Sequence, residues 1–105
     1  MSITVSSDLL EACVLSVISR NKTYGYELTQ QIQSVIEISE STLYPVLRRL
    51  NKQNFLDIED MPCDGRNRRY YIINENGKDK LLKSKLDWEL FKCKIDDLMG
   101  VKGNG

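Results

Sequence analysis

The sequence predicts a mainly helical α+β fold, and three observations carry that prediction. Apolar residues recur at helical spacing in three successive stretches before residue 51. The period then changes to that of strands, on either side of a segment rich in Pro, Gly and Asn. Helical periodicity returns after Asn74 and continues to about Met99. A chain of 105 residues suits one compact body carrying that last helix.

The first helix is expected over residues 7–19. Leu9, Leu10, Cys13, Val14, Val17 and Ile18 repeat at i, i+3, i+4 and i+7, with Asp8 and Glu11 as an acidic capping pair. Ala12 and Leu15 add apolar surface off that stripe. A helix apolar on two sides has two sides to bury, which points to a partner subunit. Asn21-Lys22-Thr23 breaks the pattern, and Thr23 is a candidate N-cap for a second helix with Leu28, Ile32, Val35 and Ile36 at i, i+4, i+7 and i+8. Ser39 or Ser41 caps a third, whose inner face is Leu43, Val46, Leu47 and Leu50. Pro45 inside it is tolerable only near the first turn, which favours Ser41 as the cap or implies a kink.

Phe55–Glu59 and Arg69–Ile73 have strand character, the second through its aromatic and β-branched residues. Between them, Met61 to Asn67 reads as a turn-rich loop, so the pair forms a hairpin with a polar, mobile tip. Tyr70 and Tyr71 alternate along the strand, so one packs inward and the other outward. Asn74 caps the last helix. There Leu81, Trp88 and Ile95 are seven apart, and Ser84, Phe91 and Leu98 repeat the same step, giving an a/d seam. Leu82, Leu86, Leu90 and Cys93 lie beside it. A helix of this length, rising about 1.5 Å per residue, overruns so small a body and is expected to pair partly with another subunit.

Composition removes several classes of function. The chain has no histidine, hence neither the commonest general base nor the commonest metal ligand. Asp96-Asp97 and Glu59-Asp60 are neighbours in sequence and diverge in direction, which argues against a paired-carboxylate site. Cys13, Cys63 and Cys93 lack zinc or disulfide-framework spacing, and Cys13 and Cys93 read as small packing residues. No metal and no cofactor are expected, and no enzymatic activity. The first residues lack a basic signal region, and no apolar run approaches the ~18 residues of a membrane span. A reduced, cytoplasmic protein is the expectation.

Charge is balanced, 15 basic against 15 acidic side chains, so any polyanion surface must be local. Residues 1–40 hold 2 basic and 5 acidic side chains, while residues 41–74 hold 6 and 4. The positive cluster of the body therefore falls on the third helix and the hairpin. Helix, helix, helix, hairpin is the order of a winged helix-turn-helix domain. On a helical wheel Ser41, Pro45, Arg48 and Lys52 lie opposite the apolar face of the third helix, with Tyr44 and Arg49 flanking. Hydroxyls at a helix N-terminus suit phosphates and base edges, and arginines suit both.

Three blocks also carry a resemblance: Tyr24-Gly25-Tyr26-Glu27-Leu28, then Ser41 to Leu50, then Asp64-Gly65-Arg66-Asn67-Arg68-Arg69-Tyr70-Tyr71. In this order and at these separations they resemble the PadR family of transcriptional regulators, over roughly residues 9–99. The resemblance accounts for Pro45, which recurs in that family's third helix. It implies a winged-helix repressor dimerising through its first and last helices, of the compact subgroup with a single C-terminal helix. Two departures stand out. Asn67 occupies a wing position where the family often has proline, and Asn74 replaces a threonine cap while able to make the same bond.

The expected organisation is thus a winged-helix DNA-binding domain over 1–75, a dimerisation helix over 76–100 and a disordered tail over 101–105. Expected DNA contacts are Ser39, Ser41, Thr42, Tyr44, Arg48, Arg49, Lys52, Arg66, Arg68 and Arg69, on a pseudo-palindromic double-stranded operator. Tyr24 and Tyr26 either anchor the second helix in the core or touch the DNA backbone. Leu15, Leu81, Trp88, Phe91, Ile95 and Leu98 are the expected homodimer interface. Trp88, with Leu15 and Phe91, either anchors that interface or frames a gap for a flat aromatic effector that relieves repression. The rival reading is a winged-helix module that meets protein instead of DNA.

Overall fold

The computed structural model describes residues 5–101. Its elements run α1 (Ser7–Arg20), β1 (Thr23–Tyr24), α2 (Gly25–Gln33), α3 (Glu40–Lys52), β2 (Leu56–Cys63), β3 (Arg66–Ile73) and α4 (Glu75–Met99). The strands form one antiparallel sheet in the order β1-β3-β2. The mainly helical α+β class and the long terminal helix are therefore as the sequence predicts. Of the expected tail, only Val101 lies within the described residues.

Three helix starts differ from expectation, each for a local reason. Ser6 caps α1 by accepting a bond from the Leu9 amide at 3.2 Å, so Asp8 lies inside the first turn and Glu11 turns inward. Thr23 is not a cap: its backbone is taken into the sheet opposite Tyr71, and its hydroxyl donates to Glu27 at 2.7 Å. Ser39, not Ser41, precedes α3, so Pro45 sits beyond the first turn. Proline there removes the amide that would bond the Ser41 carbonyl, a loss made tolerable because Ser41 is exposed to solvent.

The hairpin is longer and tighter than the sequence suggests. Strand pairing continues to Cys63 opposite Arg66, leaving a turn of only Asp64 and Gly65. Both have positive φ, 51° and 76°, the requirement of a type I′ turn whose twist matches its strands. Pro62 is accommodated because β2 is an edge strand, and two residues from a tight turn its nitrogen faces away from β3.

The core joins Leu10, Val14, Leu15 and Ile18 of α1 to the inner faces of α2 and α3, then to Leu56, Ile73 and Leu81. Leu15 is fully buried there, so its part of the second apolar side of α1 is absorbed by the protomer itself, while Ala12 stays half-buried. Tyr71 packs against this core and Tyr70 faces the opposite side of the sheet, toward Tyr24. Asn74 caps α4 by accepting from the Gly77 amide at 2.9 Å, and its amide donates to Asn54 and Asp57 at 3.1 Å. That side chain pins the start of α4 to the base of the hairpin. No described helix is long and apolar enough to cross a membrane.

Candidate nucleic-acid interface

At the start of α3 three hydroxyls converge. Ser39 Oγ lies 2.9 Å from both Ser41 Oγ and Thr42 Oγ1, and all three residues are exposed. The Ser39 carbonyl takes the first amides of the helix, so its hydroxyl is held only by its neighbours. Such hydroxyls can exchange partners with a phosphate or a base edge at small cost, beside the positive end of the helix dipole. Farther along, Arg48 and Lys52 are exposed and have no acidic partner among the described residues. Tyr44 is half-buried and packs against Gly25, where a Cβ would come within 3.1 Å of its ring.

Arg49, expected with these, points elsewhere. Its Nε donates to Glu11 Oε2 at 2.8 Å and its terminal nitrogen to Ser7 Oγ at 2.8 Å. Glu11 also meets Lys80 at 3.6 Å, so one carboxylate on α1 ties α3 to α4. Arg49 is spent on the fold.

The hairpin arginines likewise divide. Alternation along β3 puts Arg66 and Arg68 on the sheet face of Tyr70, and Arg69 on the face of Tyr71. Arg69 is taken by Asp60 at 3.5 Å, a cross-strand pair between exposed side chains. Arg66 is exposed and has no acidic partner among the described residues. Arg68 lies over the Tyr24 ring at 4.4 Å, and Tyr24 meets Tyr70 edge-on at 5.5 Å. The nearby Cys63 and Tyr24 side chains push the Arg68 guanidinium further above its already high range, so it stays charged. The three wing arginines thus do not form one patch: two share a face and the third is paired across from it.

Of the two places expected for Tyr24, the core is excluded. Its ring is on the outer sheet face and not in the core, and the two-residue strand that puts it there gives no periodic signal. Tyr26 does not anchor the core either, being 55% exposed with its hydroxyl accepting from Gln30.

On α4, exposure rises as the helix leaves the body. Leu81 is 5% exposed, Trp88 40%, Phe91 57% and Leu98 81%. Leu15 and Leu81 are consumed by the protomer's own core, which corrects their expected place in an interface. Trp88, Phe91 and Ile95 remain on the free part of the seam. Leu15 is equally removed from the Trp88 groove, whose α1 wall is Asp8, Leu9 and Ala12. Cys93 is exposed and does not pack within the protomer.

Similarity to known proteins agrees with this arrangement. Residues 14–83 match the model of the transcriptional regulator PadR-like family. A protein of Lysinibacillus sphaericus is 34% identical over 86% of this chain and 87% of its own length. The fold superposes on a Streptococcus mutans protein with a TM-score of 0.86 at 32% identity, covering all of both chains. A PadR family transcription regulator from Clostridium difficile gives 0.80 at 26% identity, covering 86% of this chain and 97% of that one. With the family model matched over well more than half its length, and the three-helix, hairpin and long-helix order in place, the chain belongs to the PadR-like family of transcriptional regulators.

Proposed function

We propose that this regulator is a homodimeric repressor that grips a pseudo-palindromic operator with α3 and the hairpin. The observation that carries the reading is the split among its cations. Arg48 and Lys52 on α3 and Arg66 on the hairpin stand without acidic partners among the described residues, and all three lie on elements that enter or flank a duplex in winged-helix proteins. The hydroxyls of Ser39, Ser41 and Thr42 supply short-range contacts beside them, with Tyr44 at the edge. Arg49 and Arg69 support the shape of this surface and do not touch the duplex. A gel-shift with the DNA upstream of the protein's own gene tests the reading. Retardation that survives excess unrelated duplex supports it, and retardation abolished by that competitor supports only non-specific binding.

Dimerisation is proposed through the part of the α4 seam beyond the body: exposed Trp88, Phe91 and Leu98, with half-buried Ile95 between them. Exposed apolar residues of this size on one helix are costly in water, and a two-fold copy supplies matching surface. Sedimentation should show a wild-type dimer at micromolar concentration and a monomer for Phe91→Glu/Leu98→Glu. A monomeric wild type contradicts the proposal.

The same seam supports an effector site completed by the second subunit. Trp88 and Phe91 line two shallow grooves of about 200 and 120 Å³, each smaller than the roughly 300 Å³ at which small-molecule pockets begin. A flat aromatic molecule held between two such surfaces would gain stacking on paired indoles and shift the spacing of the two α3 helices. Trp88 emission during titration with planar aromatic cations reads this directly. Unchanged emission and unchanged operator affinity across a varied panel leave Trp88 as packing only.

A further inference from the structure

On the outer face of the sheet, four side chains form a continuous stack. Lys22 Nζ stands 5.8 Å from the Tyr70 ring centre, Tyr70 meets Tyr24 edge-on at 5.5 Å, and Arg68 lies over Tyr24 at 4.4 Å. Lys22 is also tied to Glu59 Oε1 at 3.1 Å, which anchors that end to β2. The backbone of Tyr24 is fixed, because it pairs with Tyr70 in the sheet and immediately opens α2, and its ring is flanked by the Tyr70 ring and the Arg68 guanidinium. Two strands and a helix start are therefore arranged so that one aromatic face lies beneath one guanidinium. Arg66, two residues nearer the tip on the same face, has no such platform within its aromatic contacts.

We propose that Tyr24 is a positioning residue for nucleic-acid binding: it holds Arg68 extended and oriented so that the guanidinium edge meets the phosphate backbone. This deepens the DNA-binding reading and rests on it. The physical basis lies in the shape of the two groups. A guanidinium lying over a ring leaves N–H groups for phosphate, and Arg68 has five of them, so the contact with the Tyr70 side chain that helps raise its pKa does not exhaust its donors. A long side chain loses rotamer freedom when it binds, and one already stacked has lost part of it beforehand. Both the cation–π attraction and this preorganisation disappear if the ring is removed while the charge stays.

The experiment measures anisotropy of a labelled duplex at fixed salt with wild type, Tyr24→Phe, Tyr24→Leu, Arg68→Ala and the Tyr24→Leu/Arg68→Ala pair. Tyr24→Phe keeps the platform and should bind as wild type does. Tyr24→Leu should weaken binding roughly two- to five-fold, the size of an exposed cation–π contact. In the Arg68→Ala background the same change should do nothing further. A Tyr24→Leu loss that persists without Arg68 overturns the proposal, because Tyr24 would then touch the duplex itself. So does a Tyr24→Leu variant with wild-type affinity, or a Tyr24→Phe variant as weak as Tyr24→Leu. Should Tyr24→Leu fail to fold, Arg68→Lys asks the same question by keeping the charge and losing the plane: a two- to five-fold loss supports the proposal and wild-type affinity overturns it. A wild type that binds no duplex at low salt overturns the DNA reading and this inference with it, and shows itself before any variant is compared.

Discussion

Arg49 Nε donates to Glu11 Oε2 at 2.8 Å, joining two residues 38 positions apart and fixing α3 against α1. The two partners are unequally placed: the Glu11 side chain is 10% exposed and that of Arg49 38%. The asymmetry decides which substitution costs more. Arg49→Ala leaves a largely buried carboxylate with only Lys80 at 3.6 Å, while Glu11→Ala leaves cations that can turn toward water. Arg49→Ala should therefore lower stability by about 2–3 kcal/mol, within the range for charge-assisted bonds, and Glu11→Ala by about 1, below it because the freed cations rehydrate. Urea denaturation of both checks the order. Arg49→Ala should leave the salt dependence of DNA binding unchanged, since that arginine is not offered to phosphate.

Gly77 sets a second test. It is buried in the first turn of α4, where an added Cβ would run into the Phe55 carbonyl oxygen and come 2.7 Å from Ile73 Cγ1. The obstacle is backbone, which cannot swing aside as a flexible side chain would. Gly77→Ala should destabilise by about 1–3 kcal/mol, as overpacking of a filled site does, in spite of alanine's better helix propensity. A thermal melt compared with Asp79→Ala, an exposed residue just beyond in the same helix, separates overpacking from a general effect on the helix start.

The cysteines give a third. Burial pushes the Cys13 thiol above its usual range, because desolvation disfavours the thiolate. Cys93 is exposed. Alkylation in the native state should modify Cys93 first and Cys13 last, as followed by mass spectrometry of digested samples. The sign for stability follows from the same cause. The unfolded chain loses the Cys13 proton at a lower pH than the folded one, so this group's contribution is intact below the ordinary thiol range. It declines as pH rises from that range through the folded value. Cys13→Ser should flatten that alkaline decline.

Much of the fold was legible because periodicity reports burial directly. The apolar stripes of α3 and the cap at Asn74 were read at the right residues, and so was the end of α4. Helix starts were less legible, since Ser, Thr and Asp occur near each one and the choice among them is made by tertiary contacts. Thr23 went to a strand and Glu11 to an ion pair, neither of which sequence spacing reveals. The candidate site was legible as a set of basic residues on two elements. What the sequence did not separate was Arg48, Lys52 and Arg66 from Arg49 and Arg69. Charge identity is the same for all five, and only their partners, Glu11 and Asp60, divide them. The stacking of Arg68 was hidden for the same reason, as it depends on a pairing between residues 46 positions apart, Tyr24 and Tyr70.

In the proposed mode of binding, a duplex is held by the cations of α3 and the hairpin that lack acidic partners among the described residues. The most direct measurement is the slope of log affinity against log salt for wild type, Arg48→Ala, Arg66→Ala and Arg69→Ala on one labelled duplex. Each phosphate contact removed should reduce the slope by roughly 1, because one fewer counterion is released. That reduction is expected for Arg48→Ala and for Arg66→Ala, about twice as much for the two combined, and no change for Arg69→Ala. Wild-type slopes for Arg48→Ala and Arg66→Ala, or a reduction confined to Arg69→Ala, would contradict this mode of binding.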